Sequence, residues 1–293
     1  MLASAASRTE LCCALVIAGS GLVLLPIGCE REPAAISAAS VQANAAQSSE
    51  AATVIDQGAA DWLVRYGYLS EVSVKDASSI SKAVRDMQSF NGLVVTGRVD
   101  GATSDAMQQF RCGLGDVGIL WAVSCPWGSD TMRYAFDGIT SDLNAELAKA
   151  AVRRAFDTYA TVLAITFQEV SKANSPDVVV HWVTGSDSDF SFSSTDTAHA
   201  DFPPECRRLK KETYSPLHFK DCEDCCHWTD ASEGGRHDIE SVALHEIGHL
   251  LGLKHSRFRD AVMFSELPIG SRKRVLHADD LQGLRELYPT RMR

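Results

Sequence analysis

The sequence predicts an α+β protein, with a small unit of three helices ahead of a larger unit of strands and long helices. Short helical periodicities fill residues 56–110, strand-like runs lie at 131–136, 165–170 and 177–182, and long helical patterns occupy 143–163 and the stretch from Asp238. The length of 293 residues suits about two domains. Hydrophobic residues make up 45% and charged residues 23%, which excludes a collagen, a coiled-coil rod or a wholly disordered chain. A net charge of −10 argues against a nucleic-acid coat, because phosphate binding needs clustered Lys and Arg. Only Leu11 to Ile27 approaches membrane-span length, so a multi-span membrane protein is excluded.

Residues 1–29 read as an export signal, with Arg8 as the positive region, Leu11 to Ile27 as the apolar core and Gly28-Cys29 as the exit. Retained, the same segment would be a membrane anchor. Leu25-Pro26-Ile27-Gly28-Cys29 resembles a bacterial lipobox, with Pro26 where an aliphatic residue is usual, and lipidation of Cys29 would tie the chain to the envelope. Residues 30–53 are Ala/Ser/Gln-rich and form a tether. Ala60 to Leu69 reads as a short helix stopped by Gly67, and Ile80, Val84, Met87 and Phe90 define a second that ends near Asn91-Gly92. After a turn-rich link, a third helix is expected from Thr103 as N-cap through Met107 to Phe110. Downstream, Thr131 to Phe136, Ile165 to Val170 and Asp177 to Trp182 read as strands. Leu143 to Leu163 reads as an amphipathic helix with Leu147, Ala151, Ala155 and Tyr159 on one face.

The most informative stretch is His245-Glu246-Ile247-Gly248-His249-Leu250-Leu251-Gly252-Leu253-Lys254-His255. Ile239, Val242 and Ala243 suit a helix starting near Asp238. At ~3.6 residues per turn, His245 and His249 project from one face, one turn apart, and can share one Zn²⁺. Glu246 points near the same cleft as a base for water. Gly252 allows a reversal that brings in His255 as the third ligand, and three protein ligands leave a fourth position open.

The full pattern resembles the matrixin branch of the metzincin zinc endopeptidases, the branch being indicated by Ser256 after the third histidine. Asp260-Ala261-Val262-Met263-Phe264 is similar to their Met-turn, which underlies the zinc. Tyr66-Gly67-Tyr68-Leu69, Met87 to Leu93 and Thr96 to Asp100 resemble the peptidoglycan-binding-like propeptide of matrix metalloproteinases, and Leu276 to Tyr288 their terminal helix; no hemopexin-like extension is expected. Arg111-Cys112-Gly113-Leu114-Gly115-Asp116-Val117 resembles the cysteine switch, with Phe110 and Gly115 where the family usually has Pro. Cys112 would then ligate the zinc of the zymogen, and Arg111 and Asp116 would pair across the loop. The resemblance implies a propeptide over 54–117 and a catalytic domain over 118–293, with a twisted mixed sheet, long helices and a lower C-terminal subdomain. It also implies extended polypeptide substrates beside an edge strand, with an apolar side chain held near the Met-turn. The expected protein is a monomeric metalloendopeptidase, secreted or attached to the cell envelope. The rival expectation is a cell-wall protein that binds peptidoglycan through its first unit.

Matrixins also carry a structural Zn²⁺ on a His-x-Asp pair and two later histidines. Here Asp187-Ser188-Asp189 stands in for the pair, and His199 and His218 match the later ligands. For the family's Ca²⁺ site Glu223 matches, while Lys220 stands where an acid is expected. Arg207 to Lys211 forms a basic insertion, read as a solvated loop or a nicking site. Of nine cysteines, Cys12, Cys13 and Cys29 belong to the export segment. Among the rest, the expected disulfide joins Cys206 to one of Cys222, Cys225 and Cys226, with Cys112–Cys125 as the alternative to a switch.

Overall fold

The computed structural model describes residues 55–116, 125–184, 187–188, 190–206, 214–222, 226–231 and 234–293, all within one unit that runs from Ala51 to Arg293. The export signal, the tether, the basic segment 207–211, Asp189, Glu223 and Cys225 lie outside the described residues. Among the described residues no helix is long and apolar enough to cross a membrane.

The chain opens with α1 (Gln57–Arg65), α2 (Ala77–Phe90) and α3 (Gly101–Met107). Each is started by an aspartate whose side chain accepts a backbone N–H of the first turn: Asp56 from Ala59, Asp76 from Ser79 and Asp100 from Thr103. The expected N-cap Thr103 is therefore the third residue of α3, and the helix stops at Met107 rather than Phe110. Aspartate wins because its carboxylate reaches two donors, the N–H and the hydroxyl of Thr103. Leu63, Ile80, Val84, Met87 and Met107 form a core of their own. The turn-rich link is ordered by buried Gln88, whose amide donates to Thr96, Arg98 and Thr103 and accepts from the N–H groups of Thr96 and Gly97.

The second unit carries β2 (Thr131–Phe136), α4 (Ala145–Val162), β3 (Thr166–Glu169), β4 (Val178–Thr184), β5 (Asp196–Ala200), β6 (Ser215–Asp221), the short pair β7 (Trp228–Thr229) and β8 (His237–Asp238), α5 (Ile239–Leu250) and α6 (Ala278–Leu287). A two-residue strand, β1 (Arg111–Cys112), comes from the end of the first unit. The large sheet has the order β1-β5-β6-β4-β2-β3 and is parallel except where β5 meets β6. It is mixed, as expected.

Helices α4 and α5 pack together and help form the second core with Met132, Val180, Phe219, Ile247 and Leu250. Phe156 on α4 stacks on Tyr134 of β2 at 4.1 Å between ring centres, and burying such a side chain contributes about 2 kcal/mol. The buried face of α4 is Ala148, Ala151, Val152, Ala155, Phe156 and Tyr159. Leu147, expected on that face, is 52% exposed. The apolar stripe passes instead through Ala148, three residues before Ala151.

Cys206 bridges Cys125, not one of Cys222, Cys225 and Cys226, and this also removes the Cys112–Cys125 alternative. The bridge ties the start of the second unit to the segment after β5 across 81 positions. Cys112 and Cys226 are buried free thiols.

Candidate metal centre

Helix α5 lies in the middle of the second unit, and every one of its residues is buried. Asp238 starts it by accepting the N–H of Ser241. At its other end Gly252 has φ +92°, and a Cβ there would stand 2.4 Å from the carbonyl oxygen of Cys125. Only glycine turns the chain so tightly beside that backbone. The reversal carries His255 back toward His245 and His249.

The three imidazoles converge. His249 Nε2 lies 3.1 Å from His245 Nε2 and 3.2 Å from His255 Nε2, and Cys112 Sγ stands 3.5 Å from His249 Nε2. All four ligand atoms fall within 4.8 Å of one another. Donors placed tetrahedrally about zinc, at about 2.05 Å for nitrogen and about 2.3 Å for sulfur, would stand about 3.3 Å (N to N) and about 3.6 Å (N to S) apart. The donor set and its spacing fit Zn²⁺.

Each ring is oriented from behind. His245 Nδ1 meets the carbonyl of Val262, His249 Nδ1 that of Leu253, and His255 Nδ1 the carboxylate of Asp116, each at 2.8 Å. Donating at Nδ1 leaves the Nε2 lone pair for a metal. Burial lowers the pKa values of all three rings and so favours their neutral form, and their mutual proximity lowers His245 and His249 further. The sequence pointed to the three histidines and to an Arg111–Asp116 pair, which forms at 2.6 Å. It did not reveal that Asp116 also holds His255, a contact across 139 positions. Tyr68 donates to the same carboxylate. Burial works against the charge of Asp116, but Arg111 and His255 outweigh it and hold the carboxyl below the usual range.

Glu246 is fully buried, with one carboxylate oxygen 3.7 Å from Cys112 Sγ and the other without a hydrogen-bond partner. Burial pushes its carboxyl up to about 8. Burial and this carboxyl push the Cys112 thiol up, whereas a coordinating metal reverses that balance and deprotonates a thiol. Met263 passes beneath α5 at Gly248, where a Cβ would lie 2.3 Å from its sulfur. The turn that carries Met263 is fixed by Asp280 of α6, which accepts the N–H groups of Val262 and Met263. Nothing in local sequence spacing marks Asp280 for that task.

A profile of the matrixin family matches residues 126–289. The chain belongs to the matrixin family. A second profile, described as a putative peptidoglycan binding domain, matches residues 59–107. The chain is 32% identical to mouse (Mus musculus) matrix metalloproteinase-25 over 81% of its own length and 41% of that protein. It is 31% identical to rat (Rattus norvegicus) stromelysin-2 over 74% of its length and 44% of the relative. The hatching enzyme of Paracentrotus lividus gives 31% over 77% and 37%. The chain thus spans about two fifths of the length of these curated relatives.

This matrixin brings a second set of donors together. Asp187 Oδ2 lies 2.8 Å from His218 Nδ1 and 3.1 Å from His199 Nε2. The three form a group that could hold a metal, and the Nδ1 of His199 has no hydrogen-bond partner. One carboxylate and two imidazoles suit Zn²⁺. The calcium expectation fares differently. Lys220 donates to the backbone carbonyls of Ser193 at 2.9 Å and Ser194 at 3.4 Å. Glu223, the acid that matches the expected Ca²⁺ site, lies outside the described residues.

Proposed function

We propose that the chain is the latent precursor of an exported zinc endopeptidase. Convergence of Cys112 on the His245/His249/His255 trio, with Glu246 beside the sulfur, carries this reading. In the trimmed enzyme the three histidines would hold Zn²⁺, which polarises a scissile carbonyl and lowers the pKa of water when bound. Glu246 is placed to take the proton of the attacking water and deliver it to the leaving amine. The peptide would lie extended in the cleft where β1 now pairs with β5. In the precursor, Cys112 takes the fourth ligand position and β1 fills the cleft. Residues 54–117 are the propeptide in this reading, Met263 supports the zinc site from below, and Asp187, His199 and His218 hold a structural Zn²⁺. The Cys125–Cys206 bridge supports export, since disulfides persist in oxidising compartments.

Zinc analysis and peptide hydrolysis test the reading, using the full chain after proteolytic release of residues 54–117. Wild type should bind zinc and cut. Glu246→Ala should keep its zinc and lose activity by 10²-fold or more. Equal cleavage by the two proteins would remove Glu246 from its role.

The profile match over residues 59–107 favours a second activity, contact with peptidoglycan through the first unit. Sedimentation of the full precursor with purified peptidoglycan tests it, and a precursor that stays in the supernatant rejects it.

A further inference from the structure

A guanidinium from the first unit is lodged in the second. Arg65 closes α1, and its side chain reaches the start of β5, where it pairs with the carboxylate of Asp196. The same guanidinium donates to the backbone carbonyl of Ser191 at 2.6 Å and lies over the Phe190 ring, 5.1 Å from its centre. A carboxylate, a carbonyl and an aromatic face are the partners that suit a planar cation rich in donors. Asp196 is 0% exposed. Its carboxylate is aimed by the N–H of Ser193 and by the hydroxyl of Tyr66, each at 2.6 Å. Lys220 steadies the loop below by donating to the carbonyls of Ser193 and Ser194.

Ownership of these groups is uneven. Phe190, Ser191, Ser193 and Asp196 belong to the second unit, whereas Arg65 and Tyr66 belong to the segment that the proposed activation removes. Release takes the cation away and leaves the carboxylate, the carbonyl and the ring around the place where it lay. A new guanidinium would recover all three contacts at once. The seat also borders the cleft. Asp196 stands opposite Arg111 and Ala198 opposite Cys112, whose sulfur joins the metal cluster. Two residues of strand separate the two positions by roughly 7 Å. Burial pushes the Glu246 carboxyl up, and the charge of Asp196 adds to that push, so the two acids lie within electrostatic reach. A peptide extended along β5 with its scissile bond at the metal therefore passes the seat two or three residues from that bond.

We propose that in the released enzyme this seat, with Asp196 as its selectivity residue, binds the guanidinium of a substrate arginine. The inference rests on the peptidase reading and deepens it to a substrate class, peptides carrying Arg two or three residues from the scissile bond. Arginine is preferred to lysine, because a compact ammonium satisfies the acid but does not span the carbonyl and the ring together. An acidic side chain at the same position is repelled. In the precursor Arg65 holds the seat, so docking of the first unit and selection of substrate use one carboxylate.

A binding measurement tests this without catalysis. Full chain carrying Glu246→Ala, after proteolytic release of residues 54–117, is titrated into a fluorescent peptide of fixed sequence. One arginine is moved along that peptide a residue at a time, and each version is compared with its citrulline counterpart, a neutral analogue of the same shape. At one position Arg should bind about tenfold or more tighter than citrulline, with Lys between and Glu weakest. In the same protein Asp196→Asn should erase the difference, Asp196→Glu should keep part of it, and Phe190→Leu should narrow it. Released wild type should show the same preference in kcat/KM, chiefly through KM. Equal affinity of Arg and citrulline peptides at every position overturns the proposal even where Asp196→Asn fails to fold. A difference that survives Asp196→Asn overturns it too, and leaves Asp196 a docking residue only. Released wild type that binds the Arg peptide through Asp196 yet cuts no peptide would instead defeat the peptidase reading, while the seat stands.

Discussion

At the scale of single residues, the three metal-directed imidazoles differ in what holds them. His245 and His249 ride on α5 and donate to backbone carbonyls of the second unit, so their orientation comes with the fold. His255 lies beyond the helix, and its Nδ1 partner is Asp116, supplied by the segment the proposed activation would remove. A ligating histidine that loses its outer partner binds metal about 10–100-fold less tightly. Asp116→Ala should therefore weaken zinc retention by the precursor within that range. His255→Ala should weaken it further, because a ligand is lost. Competition with a chelator measures both, and retention unchanged in both variants would exclude His255 from the site. The spacing of His245 and His249 was legible because both sit on one continuous helix. Asp116 was legible only as a partner for Arg111, five residues away, since no spacing rule reaches across 139 positions.

At the scale of elements, the sequence located strands and helices well wherever hydrophobic periodicity was strong, and erred where small or polar residues decided the geometry. Asp100 rather than Thr103 caps α3 because a carboxylate competes for the first-turn donors. Ala148 rather than Leu147 lies on the buried face of α4. Gly252 was read for its backbone freedom, and the structure adds a second constraint, the Cys125 carbonyl where a Cβ would go. Substituting a residue with Cβ at φ +92° costs about 1–2 kcal/mol in backbone strain alone, and the steric conflict adds to it. Gly252→Ala should lower the denaturation midpoint of the precursor by an amount equivalent to at least 1 kcal/mol. Because His255 follows within three residues, the variant should also release zinc more readily. Wild-type stability together with wild-type zinc retention would show that the reversal tolerates a side chain.

At the scale of the whole molecule, the two units are held together by more than a sulfur. Asp196 at the start of β5 is wholly buried, and it receives the guanidinium of Arg65 and the hydroxyl of Tyr66 at 2.6 Å, both from the first unit. Gly113 follows Cys112 with the Phe190 ring so close that a Cβ would meet it at 2.4 Å, and Phe190 in turn stacks on His199. The resemblance to a cysteine switch lay in seven consecutive residues, whereas this docking had no local signal, since Arg65 and Tyr66 lie 131 and 130 positions from Asp196 and Gly113 lies 77 from Phe190. It changes what removal of the thiol should do. Cys112→Ser would replace the proposed zinc ligand with a neutral hydroxyl, which competes poorly with water, yet would leave β1 paired with β5. The uncleaved Cys112→Ser precursor should therefore hydrolyse peptides faster than the silent wild-type precursor but well below the released enzyme. Removing Arg65 as well leaves the Asp196 carboxylate short of its charged partner. A hydrogen bond to a charged group is worth about 1.5–3 kcal/mol, so Cys112→Ser/Arg65→Ala should gain about tenfold or more over the single variant. Hydrolysis rates on chains shown intact by mass spectrometry supply the comparison. A Cys112→Ser precursor as silent as wild type, beside a released enzyme that cuts normally, would take latency away from the sulfur. Equal rates for the single and double variants would take the docking role from Asp196.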